Sequence, residues 1–236
     1  MNLIKRAGGV FFDPRRTFEG LAARPAWIDM LVVVLLALIA FMFIVQPYIQ
    51  KDLLISYKEH AATLKEELGE DNYNKIVDRA EHPSTSYVII TTLVATPLIY
   101  LGAILLIALV LLIIGRLQST QGGYVQVLSA LVHASLIDTL LGNAVRLALA
   151  VTRGSVMQTT TSLALLFPHL ALNSTSYVLL KQVDFFQLWM FGILAFGLSS
   201  VFKIPAKKAL AVSYAVWFLK ALVNIVIGLI GTSFLR

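Results

Sequence analysis

Five stretches of the chain stay apolar over lengths that suit a bilayer: 27–45, 88–114, 124–151, 185–202 and 209–230. A helix needs roughly 20 apolar residues to cross about 30 Å of hydrocarbon, so each stretch predicts a transmembrane helix. Trp27 stands where an interfacial aromatic belongs, and Asp29 lies in the first turn, where a carboxylate favours a helix N-terminus. Pro97 falls inside the second stretch and predicts a kink. The first stretch is longer than a signal-peptide core, and Val45-Gln46-Pro47-Tyr48 offers no small-x-small cleavage site, so it reads as a retained span.

The remaining segments are patterned differently. In 1–25, Leu3, Ile4, Ala7, Val10 and Phe11 recur at helical spacing around Lys5 and Arg6, and Asp13-Pro14 has the form of a helix start. Phe18, Leu21 and Ala22 extend an apolar face opposite Arg15, Arg16 and Arg24, which predicts two short helices lying on an anionic leaflet. Residues 48–82 hold five basic and eight acidic residues. Leu53, Tyr57, Ala61, Leu64 and Leu68 precede a break at Gly69, and Tyr73, Ile76, Val77 and Ala80 follow it. An extramembrane helical hairpin is expected there. Segment 152–184 carries an apolar run from Ala164 to Leu172, interrupted by Pro168 and His169. It is too short to span and is expected to be re-entrant or interfacial. The fold class is therefore all-α: a polytopic membrane protein with five spans, an outward hairpin insertion and an amphipathic N-terminal segment, in one membrane domain over 1–236.

Composition agrees. Of 236 residues, 58% are hydrophobic and 14% charged, and the mean hydropathy is +0.81. Soluble domains are about one-quarter charged. The net charge of +6 would raise nucleic-acid binding in a soluble chain. Here the cations flank the spans, so lipid headgroups are the expected partner and nucleic acid is not. Lys5, Arg6, Arg15, Arg16, Arg24, Arg116, Lys203, Lys207 and Lys208 fall on one side of the membrane if spans alternate, against only Asp13 and Glu19. The positive-inside rule then predicts a cytoplasmic N-terminus and an outer C-terminus carrying Arg236, in the cell inner membrane.

Candidate chemistry is confined to charges inside spans, which are costly unless paired or hydrated. Asp138 and Lys220 sit at the midpoints of spans three and five and are expected to pair. Asn143 and Asn224 lie about one turn further out, and Arg146 lies near the outer end, where it can snorkel to headgroups. Ser135, Asp138, Thr139, Asn143 and Arg146 share one helical face on an α-helical count, and His133 points away from it. This cluster reads either as a polar pathway or as glue between helices. The four histidines are scattered without metal-ligand spacing, cysteine is absent, and no nucleophile elbow, zincin motif or phosphate loop occurs. No cofactor, metal or catalytic residue is expected.

Several short motifs carry a family resemblance. Phe12-Asp13-Pro14-Arg15-Arg16-Thr17-Phe18 resembles the entry of bacterial members of the Yip family of Ypt/Rab-interacting membrane proteins. The turn Gly122-Gly123-Tyr124 with Gln126 is similar to the same family. So are Val183-Asp184-Phe185-Phe186 with Leu188-Trp189, then Gly197-Leu198-Ser199 and the turn from Lys203 to Ala209. The resemblance implies a five-helix membrane domain with a cytoplasmic N-terminus. Eukaryotic relatives are associated with Rab GTPases, but this chain lacks their long polar N-terminal region. Asp184 reads as a carboxylate favouring the start of span four. The expected function is a non-enzymatic membrane organiser or adaptor, with hairpin 48–82 as a possible protein-binding surface. The alternative is a small transporter, channel or lipid-handling protein using Asp138 and Lys220.

Overall fold

The computed structural model describes residues 1–157, 161–167, 169–170 and 174–233, with side chains described as far as Ile230. Pro168, Leu172 and Arg236 lie outside the described residues. Among those described, the chain is all-α, with a lone bridge between Ser162 and Asp184. Five helical stretches are long and apolar enough to cross a membrane: Ile28–Glu59, Thr85–Arg116, Tyr124–Arg153, Phe185–Phe202 and Ala206–Ile230. The chain divides into two compact units. One holds Met1–Leu38, Pro97–Asn143 and Phe185–Ala221; the other holds Ile39–Thr96, Ala144–Asp184 and Leu222–Arg236.

The first unit begins with α1 (Leu3–Phe12) and α2 (Pro14–Ala23). The Asn2 side chain accepts from the Lys5 N–H at 2.9 Å, and Asp13 accepts from the Arg16 N–H with Pro14 in the first turn. Both caps satisfy amide donors that a helix start leaves open. Helix α2 packs across α8 (Tyr124–Ala134) and α11 (Phe185–Phe202), and α1 packs on α2 and α8. Val10, Phe18, Leu21 and Ala22 are buried there. Most of the apolar face expected to lie on lipid is thus covered by protein, while Ile4 stays open. The seam offers close-packed partner atoms on every side, a denser fit than mobile acyl chains.

Small residues make that seam possible. A Cβ placed on Gly197 would stand 2.7 Å from the Ala130 Cβ and 3.0 Å from Phe18. Gly122, at φ +85°, leaves room for Val201 and Phe202 in a backbone conformation that suits glycine. At the same turn Arg116 donates to the carbonyls of Thr120 and Gly122. Every residue from Val127 to Ala134 in α8 is buried, which makes α8 the centre of this unit.

In the second unit, α3 (Ile28–Glu59) carries helix well beyond Val45, the expected end of span one, with Pro47 inside it. The hairpin consists of α4 (Ala61–Leu68) and α5 (Glu70–Glu81), joined at Gly69 with φ +81° and packed through Leu64 and Tyr73. Lys58 donates to Glu81 at 2.8 Å, and Lys65 to Glu70 at 3.0 Å. Span two comprises α6 (Thr85–Ile90), a π turn over Thr91–Ala95 and α7 (Thr96–Arg116). The break expected at Pro97 therefore takes the form of a π turn before it. The proline ring would crowd the carbonyl four residues back. The wider turn instead lets the Thr96 N–H and Oγ1 both reach the Thr91 carbonyl.

Gly197 and Gly102 form a matched test, because a Cβ on Gly102 meets nothing within 4 Å. Gly197→Ala is expected to lower stability by about 1–3 kcal/mol through overpacking. Gly102→Ala should leave it unchanged or raise it by up to about 1 kcal/mol. Unfolding in detergent followed by tryptophan fluorescence separates the two outcomes.

Candidate functional site

The intramembrane polar residues fall into two groups, one in each unit. In the first, the π-helical segment Ile137–Gly142 interrupts span three at Asp138, where the Asn143 N–H reaches back to the Asp138 carbonyl. A stripe counted at 3.6 residues per turn does not carry across such a segment. The one-face alignment expected for Ser135 through Arg146 therefore does not apply past it. Asp138 is half-buried. The Tyr100 hydroxyl lies 3.3 Å from Thr139 Oγ1. Lys220, on α12 (Ala206–Ser233), donates to Gln187 Oε1 of α11 at 2.7 Å. The π segment packs against α11.

Tyr100 and Gln187 escaped the sequence reading. Each is a polar side chain within an apolar stretch, which was the available signal. Other polar groups on these helices bond to carbonyls. Ser213 donates to the Phe191 carbonyl at 2.6 Å, Tyr214 to Leu188 at 3.0 Å, and Tyr124 to Leu105 at 3.0 Å. His133 is fully buried and pairs through Nδ1 with the Ser129 carbonyl at 2.8 Å. A carbonyl only accepts, so Nδ1 carries the proton. Arg6 of α1 pairs with Asp29.

The second group surrounds Asp184. Arg146 was expected to share the polar face of span three and snorkel to headgroups, and Asp184 to serve the start of span four. The structure joins them: Arg146 Nη2 donates to Asp184 Oδ1 at 3.1 Å, with side-chain exposures of 19% and 7%. Thr161 Oγ1 accepts from Arg146 Nε at 3.2 Å and donates to Asp184 Oδ2 at 2.6 Å. The Leu163 N–H bonds the Val183 carbonyl beside this knot. The guanidinium, planar and always charged, suits two such acceptors at once. Asn224 lies on α12 in the same unit. After the knot, Ala164 is buried while Leu163, Leu165, Leu166 and Phe167 are exposed.

Asp52 makes a second tie. It is buried and accepts from Ser155 Oγ at 3.0 Å and from the N–H groups of Val156 and Met157 at 2.7 and 3.0 Å. Lys51 donates to the Gly154 carbonyl at 3.1 Å. The extension of α3 is thereby fastened to the turn after α9 (Asn143–Arg153). A buried carboxylate with three donors is well satisfied. Nothing in the spacing of 52 and 155 announces it.

The motif residues serve packing. Pro14 opens α2. Thr17 is buried against Gly9, where an added Cβ would run into its Oγ1. Phe18 fills the space that Gly197 leaves. The Gly123 N–H donates to Gln126 Oε1 at 2.8 Å, while the Gln126 amide donates to the Ala22 carbonyl at 2.6 Å. Phe185 and Trp189 remain exposed on α11 and touch each other as aromatic neighbours. Among the described residues no group of three His, Asp or Glu side chains could hold a metal ion.

Two outcomes follow. Arg146→Gln and Asp184→Asn should each cost about 3–5 kcal/mol by stranding a largely buried charge. The double variant should cost less than their sum, as read from unfolding in detergent. Separately, the Lys58 hydrogen bond and charge hold the Glu81 carboxyl below its ordinary value of 4.5. A folded-state value lower than the unfolded one favours the fold above that range and is lost as pH falls through it. Protection of the amides in the last turn of α5, corrected for intrinsic exchange, should therefore fall as pH drops below 4.5, and Lys58→Met should remove the step.

Comparison with curated proteins and with solved structures returns no match. A family model described as the Yip1 domain matches residues 8–228.

Proposed function

Because the chain belongs to the Yip1 family of integral membrane proteins, we propose that it acts as a non-enzymatic membrane organiser or adaptor. In this reading the bundle is an anchor, and the hairpin of α4 and α5 offers its acidic surface to a protein partner. The observation that carries the reading is how the polar groups within the spans are used. Lys220 donates to Gln187, Tyr100 lies against Thr139, and Ser213 and Tyr214 donate to carbonyls of α11. In hydrocarbon such bonds hold helices together, because water is not there to compete. Asp138 and Lys220 then form a polar layer that sets helix packing.

The protein lies in the inner membrane with its N-terminus cytoplasmic and its C-terminus outside. The sorting of charge supports this orientation. Lys5, Arg6, Arg15, Arg16, Arg24, Arg116, Lys203, Lys207 and Lys208 fall on one side when the spans alternate, with Asp13 and Glu19 as the acidic residues there.

A second reading, transport or lipid handling, draws on the π segment at Ile137–Gly142. Such segments recur at functional sites, and this one contains Asp138. One experiment separates the readings. Asp138→Asn and Lys220→Met are made singly and together, and both unfolding in detergent and proton or solute flux in liposomes are measured. The organiser reading expects each single change to lower stability by more than the double does, with no flux in any variant. Flux in the native protein that Asp138→Asn abolishes would transfer the role to transport.

A further inference from the structure

Helix α1 has two faces. One is spent on the protein: Arg6 and Val10 are buried, and Leu3, Ala7 and Phe11 pack against the core. The other bears Met1 at 63% exposure, Ile4 at 80% and Phe12 at 91%. Lys5 is exposed on this face, and Arg15 and Arg16 are exposed just past the Asp13 elbow. On a helical count Ile4, Lys5 and Phe12 fall within about 100° of one another. Large apolar side chains this open, ringed by cations, are out of place in water.

Depth identifies what covers them. Helix α11 has 18 residues, about 27 Å of rise, which only just crosses the hydrocarbon. Its end at Phe202 therefore lies at the headgroup boundary. Phe18 of α2 packs at Gly197, where a Cβ would also meet Ala130 of α8. Gly197 is five residues inside that end and Ala130 six inside the start of α8, so the contact lies about 8 Å into the bundle. Arg6 of α1 pairs with Asp29 in the first turn of α3. The N-terminal helix pair is thus sunk to the level of the headgroup and acyl boundary, not held above it. Of the acidic neighbours, Asp13 caps α2 and Glu19 is bridged by Arg15. Lys5 and Arg16 keep the surface cationic.

We propose that the outer face of α1 and the elbow after it form a docking surface for an anionic lipid leaflet. Phe12 and Ile4 enter the acyl boundary, and Lys5 and Arg16 draw acidic headgroups around them. This goes beyond the organiser reading and does not depend on it. The side chains that meet lipid are the ones left over after Val10, Phe18, Leu21 and Ala22 have packed on protein. Interfacial helices of this kind combine apolar insertion with headgroup attraction.

The chain has no cysteine, so a single introduced thiol can be labelled uniquely in the full-length protein. Phe12→Cys and, as an aqueous reference, Glu66→Cys on the exposed hairpin carry an environment-sensitive fluorophore in vesicles of phosphatidylcholine and phosphatidylglycerol. Phe12 is almost wholly exposed, so its replacement leaves the core intact. The probe at 12 is expected to be quenched by acyl-brominated lipid and shielded from iodide, with the probe at 66 showing the reverse. Brominated phosphatidylglycerol should quench at 12 at least about twofold more than brominated phosphatidylcholine at equal mole fraction. Each cation near the surface is worth about fivefold in attraction for anionic lipid, so Lys5→Gln and Arg16→Gln together should bring that ratio to one. Iodide access at 12 equal to that at 66 would overturn the proposal. So would equal quenching by the two lipids in the native sequence, or shielding from iodide without lipid quenching, which would mean that a protein surface covers this face.

Discussion

Hydrocarbon offers no hydrogen bond, and that constraint governs how this chain uses its polar residues. A serine, tyrosine or histidine inside a span must find an acceptor within the protein. Here the acceptor is repeatedly a helix carbonyl. Ser213 and Tyr214 reach across to Phe191 and Leu188, and Tyr124 reaches Leu105. Thr91 and Thr96 bond back along their own helix. Carbonyls have a spare lone pair even when bonded in a helix, so they accept these groups without breaking the ladder. The Lys220–Gln187 contact follows the same logic with a charge.

The second constraint is how closely helices approach. Gly197, Gly115 and Gly122 each leave a space that a neighbouring aromatic or branched side chain occupies. Without a hydrophobic force between lipid-bathed helices, such close contact is what holds them together. It also explains why an N-terminal helix pair can sit against the bundle. Phe18 has a notch at Gly197, Thr17 has one at Gly9, and Arg6 finds Asp29. The match to the Yip1 domain over residues 8–228 spans these packing residues.

The second unit is held by ties between distant loops. Asp52 closes on the Ser155 turn, and Arg146, Thr161 and Asp184 close on one another. Acidic residues here do two kinds of work. Some are buried acceptors, such as Asp52 and Asp184. Others, such as Glu66 and Glu67, remain on the hairpin surface.

Taken alone, the sequence determined the five spans, the all-α class, the break at Gly69 and the Asp13–Pro14 helix start. Each of these depends on residues within a few turns of one another: hydropathy sums along a helix, and a cap involves four residues. Its short motifs also led to the family. Tertiary structure alone decided which apolar face of the N-terminal helices meets protein and that Arg146 meets Asp184. It also decided that helix α3 continues to Glu59 and that a π segment carries Asp138. The Asp52 carboxylate and its serine stand 103 residues apart. No local pattern encodes such a meeting, because it exists only once helices from distant parts of the chain have packed and the buried polar groups have been left to find one another.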